Sequence, residues 1–251
     1  MAKKAFVTGG GTGIGKQIAL TLIENGYDVA ISYFNSSQSV NEILEFGKRF
    51  GRRVILLRAD ISKVTEIKKM FESYKNQFGE ELDLFVNNAG VTAKAAFLQT
   101  TEELFDTVCN VDYKGAFFCM QEAARLMTRS GGNIILISSN NAKAHFAEVS
   151  VYGSAKAAVT KLAEHMAIEL AKYKIRVNVI APGWTDTGAS RLDDKESTYY
   201  KIPLQKWVDA KEISDTVLYL DSTAAGSITG ATIVMDNGAL LLSDKREKYG
   251  F

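Results

Sequence analysis

Thr8-Gly9-Gly10-Gly11-Thr12-Gly13-Ile14-Gly15 joins a short apolar run, Ala5–Thr8, to a helix-period segment, Gly13–Asn25. Glycines at 9, 13 and 15 permit a tight turn and let bare backbone approach a pyrophosphate. The helix that opens here offers unpaired N–H groups and the positive end of its dipole, which together suit an anion. The spacing is GxxxGxG rather than the commoner GxGxxG. A glycine-rich loop alone fits a flexible turn equally well. Its place directly after the first strand is what points to a dinucleotide.

The same alternation continues along the chain. Strands are expected over Ala5–Thr8, Asp28–Ser32, Val54–Arg58, Leu82–Val86, Asn133–Ile137, Arg176–Ile180 and Thr232–Met235. Helices are expected over Gly13–Asn25, Ser37–Phe50, Lys63–Phe78, Val151–Tyr173 and Ala210–Leu220, with one or two more in Glu102–Arg129. Glycines 26, 51 and 79 follow helices, where a left-handed residue closes the last turn. Ile134-Ile135-Leu136-Ile137 is continuously apolar, the mark of a strand covered on both faces. Strands alternating with helices imply right-handed crossovers and an α/β fold, a Rossmann-type doubly wound parallel sheet flanked by helices. No linker interrupts residues 1–251, so a single domain is expected. A domain of this size buries roughly 70–75% of its unfolded surface and needs no staples. Ligands of such sheets bind beyond the carboxyl ends of the strands, where every motif below falls.

Composition excludes several classes. Thirty basic residues against 29 acidic ones leave no general electrostatic grip on nucleic acid. Cys109 and Cys119 show no CxxC spacing, and His145 and His165 are the only histidines, so a zinc-type site is not expected. Free buried thiols in a reducing compartment are the simpler reading. The start MAKKAFVTGG runs straight into a strand without a signal-peptide core, and no apolar run approaches about 18 residues. The expectation is a cytoplasmic protein with no membrane partner.

The candidate site residues sit at strand ends. Asp60 closes the third strand, where a carboxylate suits the adenine amine; the alternative is a helix cap, for which Ser62 is better placed. Asn87-Asn88-Ala89-Gly90 closes the fourth, with amides to pin backbone and face a ribose and small residues that leave room; the alternative is an ordinary polar turn. Tyr152-Gly153-Ser154-Ala155-Lys156 opens a helix. Four residues turn about 40° past one full turn and rise about 6 Å, so Tyr152 and Lys156 share a face. A free tyrosine, with pKa near 10, is a poor base at neutral pH, and a nearby ammonium favours the phenolate. Alone, Tyr and Lys at this spacing are usually a solvated surface pair. Ser138-Ser139 ends the strand Asn133–Ile137, where a hydroxyl can hold a carbonyl oxygen, and the amide of Asn110 could support a water beside Lys156.

Taken together, TGGGTGIG at 8–15, Asp60, NNAG at 87–90, Asn110, Ser139, YGSAK at 152–156 and PGWTDT at 182–187 resemble the short-chain dehydrogenase/reductase family over nearly the whole chain. The resemblance implies an oxidoreductase that moves hydride between a nicotinamide cofactor and a carbonyl or secondary alcohol. It implies a Ser139–Tyr152–Lys156 triad extended by Asn110, with Tyr152 as acid and base, Ser139 orienting the oxygen, and Lys156 binding ribose and tuning the phenol. Ser138 is the less suitable serine. Cofactor contacts are expected from Gly9, Thr12, Gly13, Ile14, Gly15, Tyr33, Phe34, Asn35, Asp60, Ile61, Asn88, Gly90, Tyr152, Lys156, Pro182, Gly183, Thr185 and Thr187. Pro182 and Pro203 bracket a segment that is a mobile lid in family members, placed here at about 183–208. Asp236-Asn237-Gly238 departs from the pattern, with Asn where Gly is usual, and the charged tail Leu240–Phe251 receives no role.

The second strand ends in Ser32-Tyr33-Phe34-Asn35-Ser36-Ser37, with no acid to repel a 2′-phosphate and no arginine to bind it. NADP(H) is favoured over NAD(H). The substrate region is expected to draw on Ser139, Asn141, His145, Tyr152 and Trp184, with Asp186, Ser190 and Arg191 from the lid. This polar lining favours a small polar carbonyl, sugar or polyol. A 3-oxoacyl thioester reductase and a non-catalytic dinucleotide sensor are the alternatives. By resemblance the assembly is a homotetramer, with Glu102–Arg129 and Val151–Tyr173 in the dimer contact; Phe117 and Met120 fit either a partner helix or the core.

Overall fold

Ile134, Ile135, Leu136 and Ile137 are all buried, as a strand covered on both faces requires. They belong to β5 (Gly132–Ile137) of a computed structural model that describes residues 2–35, 37–188 and 192–241. The other strands of its sheet are β1 (Lys4–Val7), β2 (Asp28–Tyr33), β3 (Val54–Arg58), β4 (Leu84–Asn87), β6 (Ile175–Pro182) and β9 (Thr232–Met235). Seven parallel strands run in the order β3-β2-β1-β4-β5-β6-β9. The order reverses between β1 and β4, which opens a crevice above their carboxyl ends.

Helices cover both faces. On one side α3 (Val64–Phe78), α5 (Ala116–Met127) and α6 (Ser150–Leu170) pack on Phe6, Phe85 and Leu136. Phe6 stacks on Tyr74 at 5.5 Å and meets Phe85 edge-on at 5.6 Å. On the other side α1 (Gly13–Glu24), α2 (Ser37–Arg49) and α8 (Ala210–Asp221) cover Ala5, Val7, Ile31 and Ile135. Alternate residues of β1 thus feed opposite layers, which is why the strand reads as an unbroken apolar run. The described residues contain no helix long and apolar enough to cross a membrane, and both cysteines are free.

Departures from the sequence reading have local causes. Glu102–Arg129 is two helices, α4 (Glu102–Val108) and α5, joined by a π-helical turn at Cys109–Gly115. Leu82 lies ahead of β4 yet is fully buried, because core packing does not need strand pairing. Lys63, not Ser62, is the N-cap of α3; Ser62 instead donates to Asp60 through its N–H and its hydroxyl. The segment after β6 holds β7 (Thr185–Asp186), α7 (Leu192–Tyr199) and β8 (Val208–Asp209), too short or too polar to register as periodicity. Asn237 adopts φ 54°, a left-handed conformation that Asn tolerates, so its departure from Gly is conformationally accommodated. Met120 lies in the core, whereas Phe117 is exposed. Ser190, Arg191 and the tail beyond Leu241 lie outside the described residues.

Candidate active site

The glycine loop folds back against the end of β4. A Cβ on Gly15 would lie 2.3 Å from the Gly9 carbonyl oxygen and 2.5 Å from Asn88 Nδ2, so only hydrogen fits there. Asn88 Nδ2 donates to the Thr8 and Gly9 carbonyls at 3.0 and 3.2 Å, and Thr8 Oγ1 accepts from the N–H groups of Asn88 and Ala89. The Asn88 amide thus pins the loop backbone, as its place at the strand end predicts. Thr12 is the N-cap of α1, but its side chain makes no capping bond. The first turn of α1 is thus left without a side-chain cap, as an anion site requires.

A cleft of about 300 Å³ opens beside the loop, lined by Gly9, Thr12, Tyr33, Phe34, Asn35, Asp60, Ile61, Asn88 and Gly90. Ile14 packs its side chain on the core, leaving only its backbone for a ligand. Burial pushes the Asp60 carboxyl up, but bonds from Ser62 and the Lys63 ammonium outweigh it and hold Asp60 below its ordinary value. Asp60 therefore presents an anion to the cleft. Thr187 sits beside the loop, its methyl 3.6 Å from where a Gly13 Cβ would be, and Thr185 Oγ1 donates to the Gly183 carbonyl at 3.0 Å. The glycine cradle, the uncapped helix start and the flanking hydroxyls fit a dinucleotide. One basic residue escaped the sequence reading. Arg58 ends β3, pairs in register with Tyr33, and donates from Nε to the Phe34 carbonyl at 3.2 Å. It brings a guanidinium from the neighbouring strand to the rim where no arginine was expected.

A second cleft, about 290 Å³, is lined by Thr92, Lys94, Ser139, Asn140, Asn141, Phe146, Val149, Tyr152, Gly183 and Trp184. Tyr152 and Lys156 share a face of α6 as their spacing predicts, with Lys156 Nζ 5.6 Å from the phenol ring centre. Ser139 Oγ accepts from both the N–H and the Nδ2 of Asn141, each at 3.1 Å. A hydroxyl has two acceptor positions and one proton to give. Both acceptor positions of Ser139 are filled, so its O–H is left to donate into the cleft. Ser138 faces away, bonding Thr160 Oγ1 at 2.7 Å and the Lys156 carbonyl at 3.2 Å. Asn141 Oδ1 is buried with no hydrogen-bond partner among the described residues. Phe146 and Trp184 meet edge-on at 5.5 Å and form an apolar wall.

Three expectations are corrected. The Asn110 side chain does not reach Lys156; its Oδ1 accepts from Lys114 Nζ at 3.2 Å. The π-turn instead aims Asp112 inward, 3.1 Å from Lys156 Nζ. His145 is exposed and lines neither cleft, because the loop that carries it runs outward. Asp186 belongs to the lid's own framework, accepting from Lys195 and from the Gly188 N–H, and the Lys195 contact holds its carboxyl below the ordinary value.

Comparison with known proteins agrees with this geometry. A family model described as enoyl-(acyl carrier protein) reductase matches residues 9–239. A 3-oxoacyl-[acyl-carrier-protein] reductase of Staphylococcus epidermidis is 36% identical over 243 residues, covering 95% of this chain and 99% of its own. L-rhamnose-1-dehydrogenase of Scheffersomyces stipitis is 35% identical over 247 residues, covering 94% and 95%. The crystal structure of acetoin dehydrogenase from Enterobacter cloacae superposes with a TM-score of 0.91 at 34% identity, covering 98% of this chain and all of that one.

Proposed function

The chain belongs to the short-chain dehydrogenase/reductase family, and from that premise we propose that Ser139, Tyr152 and Lys156 interconvert a small polar carbonyl and its secondary alcohol with NADP(H). The chain is an NAD(P)-dependent oxidoreductase acting on carbonyl or CH–OH groups, as its relatives are. A nicotinamide cofactor supplies or accepts the hydride. In reduction Tyr152 gives its phenolic proton to the carbonyl oxygen, and in oxidation it takes the alcohol's proton. Ser139 donates its free O–H to the same oxygen, held in that orientation by Asn141. Lys156 binds ribose hydroxyls and favours the phenolate. The glycine loop with Thr12, Gly13 and Gly15, the pocket walls at Tyr33, Phe34, Asn35, Asp60, Ile61 and Gly90, and the turn from Pro182 and Gly183 to Thr185 and Thr187 hold the cofactor.

The observation that carries the substrate class is the polar lining of the cleft with Tyr152, to which Thr92, Lys94, Ser139, Asn140 and Asn141 contribute. Covering polar groups of that lining without bonding them costs about 1–3 kcal/mol each, which a substrate hydroxyl avoids and a hydrocarbon does not. Arg58, with one nitrogen on the Phe34 carbonyl, supports NADP(H), since a guanidinium can take a 2′-phosphate through its remaining N–H groups. Residues 183–208 act as a lid within the single domain. The exposed Phe97, Phe105 and Tyr113 flank an apolar groove between α4 and α6, which supports pairing of copies and a homotetramer. A cytoplasmic location completes the reading. The deciding experiment measures kcat/KM with NADPH and NADH across sugars, polyols, hydroxyketones, acyl thioesters and steroids. A small polar substrate with NADPH is expected at the top; an acyl thioester or steroid there overturns the substrate class, and a preference for NADH overturns the cofactor.

A further inference from the structure

We propose that Lys94 is a specificity-determining residue of the cleft that holds Tyr152, and that its ammonium binds a carboxylate carried by the substrate. The preferred pair is then a small oxo acid and the corresponding hydroxy acid. The inference deepens the reading of Ser139, Tyr152 and Lys156 as the reacting groups and rests on it.

The charge of the lining carries it. Among the described residues, Lys94 is the one charged side chain that lines this cleft. The other ammonium of the site, on Lys156, is offset by Asp112 at 3.1 Å. Lys94 has no such offset: its side chain makes no ion pair or hydrogen bond among the described residues. It is exposed, so an anion arriving from solvent can reach it. The backbone beneath it is held on both sides. The Val91 N–H donates to Asp112 Oδ1 at 2.7 Å, and the Ala95 N–H donates to the Glu148 carbonyl at 2.9 Å. The root of the side chain is therefore fixed beside the cleft, and only its flexible stem remains to be ordered when an anion binds.

The rest of the wall favours a ligand rich in acceptors. Tyr152 and Ser139 offer O–H groups to the reacting oxygen, and Thr92, two residues before Lys94, adds a third hydroxyl. No carboxylate lines the cleft among the described residues. Asp236 stands behind Asn140, but its oxygens are taken by the N–H groups of Gly238 and Leu240 and by Asn140 Nδ2. A cation unopposed by an acid draws anions into a concave site and repels cations from it. At about 290 Å³ the cleft lies at the small end of ligand sites. The carbonyl at Tyr152 and the anion at Lys94 must therefore belong to one short molecule. A carboxylate suits a single ammonium with a hydroxyl beside it. A phosphate ester is better met by a helix start or a guanidinium fork, and no arginine lines the cleft among the described residues. The carboxylate takes no part in the chemistry: the carbonyl carbon gains a hydride from the reduced nicotinamide, and its oxygen gains a proton from Tyr152.

The test measures kcat/KM for matched pairs of a small oxo acid and its primary amide, with carbonyl and carboxyl groups set at increasing separation. The amide keeps the shape and loses the charge. In the unmodified protein the acid is expected to exceed its amide by about tenfold at the best separation. Lys94→Met should bring that ratio to about one, chiefly through KM for the acid. Lys94→Arg should preserve the preference, and Lys94→Glu should turn it toward the amide. A merely structural lysine would not make the ratio follow the sign of the charge. An amide equal to its acid in the unmodified protein, or a ratio that Lys94→Met leaves unmoved, overturns the proposal. A phosphorylated carbonyl compound that outranks every acid overturns the carboxylate assignment. Turnover surviving in Tyr152→Phe, or acids and amides both inert while a long acyl thioester reacts, overturns the underlying reading instead, so the two failures are told apart.

Discussion

The two ends of the central sheet are built to different rules. At the amino end, polar side chains are tied into one another. Asp221 accepts from Lys3, Tyr27 and Asn133, and Arg176 spreads three bonds over the carbonyls of Leu220, Ala225 and Ile228. Burial and the hydrogen bond to Asp221 push the Tyr27 phenol far above its ordinary range, so it stays a neutral donor. At the carboxyl end, bonds are left open. Of the buried side-chain oxygens without a hydrogen bond among the described residues, those of Asn87, Asp112 and Asn141 sit there, and only that of Asn133 lies at the amino end. Asp112 Oδ2 meets the Lys156 ammonium at 3.1 Å, so the bonds left unmade there are those of Asn87 and Asn141, a cost in stability at the end where the two clefts open.

Six substitutions test that division, beginning with the largest. Tyr152→Phe removes the proton carrier but keeps the ring, so kcat should fall by roughly 10³-fold or more. Melting temperature and cofactor affinity should stay within a few-fold or a few degrees. Near-normal turnover would sink the mechanism.

Lys156→Met should cross the division and damage both properties. Cofactor affinity and kcat fall together, and stability drops by about 3–5 kcal/mol because Asp112 is stranded as a buried unpaired carboxylate. Binding measured by fluorescence and urea unfolding report the two losses separately. An unchanged cofactor dissociation constant would remove the ribose role.

Arg176→Met probes the other end. Its three carbonyl partners lose their donor, and stability should fall by about 2–4 kcal/mol, seen as a lower urea midpoint. Turnover per folded molecule should not change; a kcat loss at matched folded fraction would show that the ends are coupled.

At the cofactor rim, Arg58→Leu and Tyr33→Asp should each cut the NADPH-to-NADH preference by about tenfold. The first removes a phosphate donor, and the second adds a carboxylate that repels the 2′-phosphate. A ratio of kcat/KM values unmoved by both would place the phosphate elsewhere.

The smallest effect expected is from Asn141→Ala. It removes one of two donors to Ser139 and a polar group of the cleft lining, so KM for the best polar substrate should rise about three- to tenfold. An unchanged KM would mean that the amide only shapes its turn.

The parts of the site legible in sequence are those that lie close together along the chain. The glycine loop, Asn88 and the Tyr152–Lys156 pair were each readable because one turn or one helical repeat sets their geometry. Asn110 was misread for the opposite reason. A regular helix assigns each position a direction, and the π-turn at Cys109–Gly115 breaks that rule and turns Asp112 to Lys156 instead. Arg58 was invisible because its place beside Phe34 comes from strand pairing between β2 and β3, not from proximity in sequence. The lid helix Leu192–Tyr199 escaped because it is short and polar, without an apolar stripe to reveal its period.

Periodicity and glycine placement, which act over a few residues, are enough to specify strands, helices and the doubly wound order; the motif residues at the strand ends carry the resemblance to the family and so its reaction. Which oxygens stay unbonded, which carboxylate meets the buried ammonium and which guanidinium guards the cofactor rim depend on groups brought together from distant elements. Asp112 and Lys156 are separated by two helices and a strand, yet they meet within one hydrogen-bond length. Only packing of α6 against the π-turn makes that pair, because charge interactions act through space and have no trace in local sequence pattern.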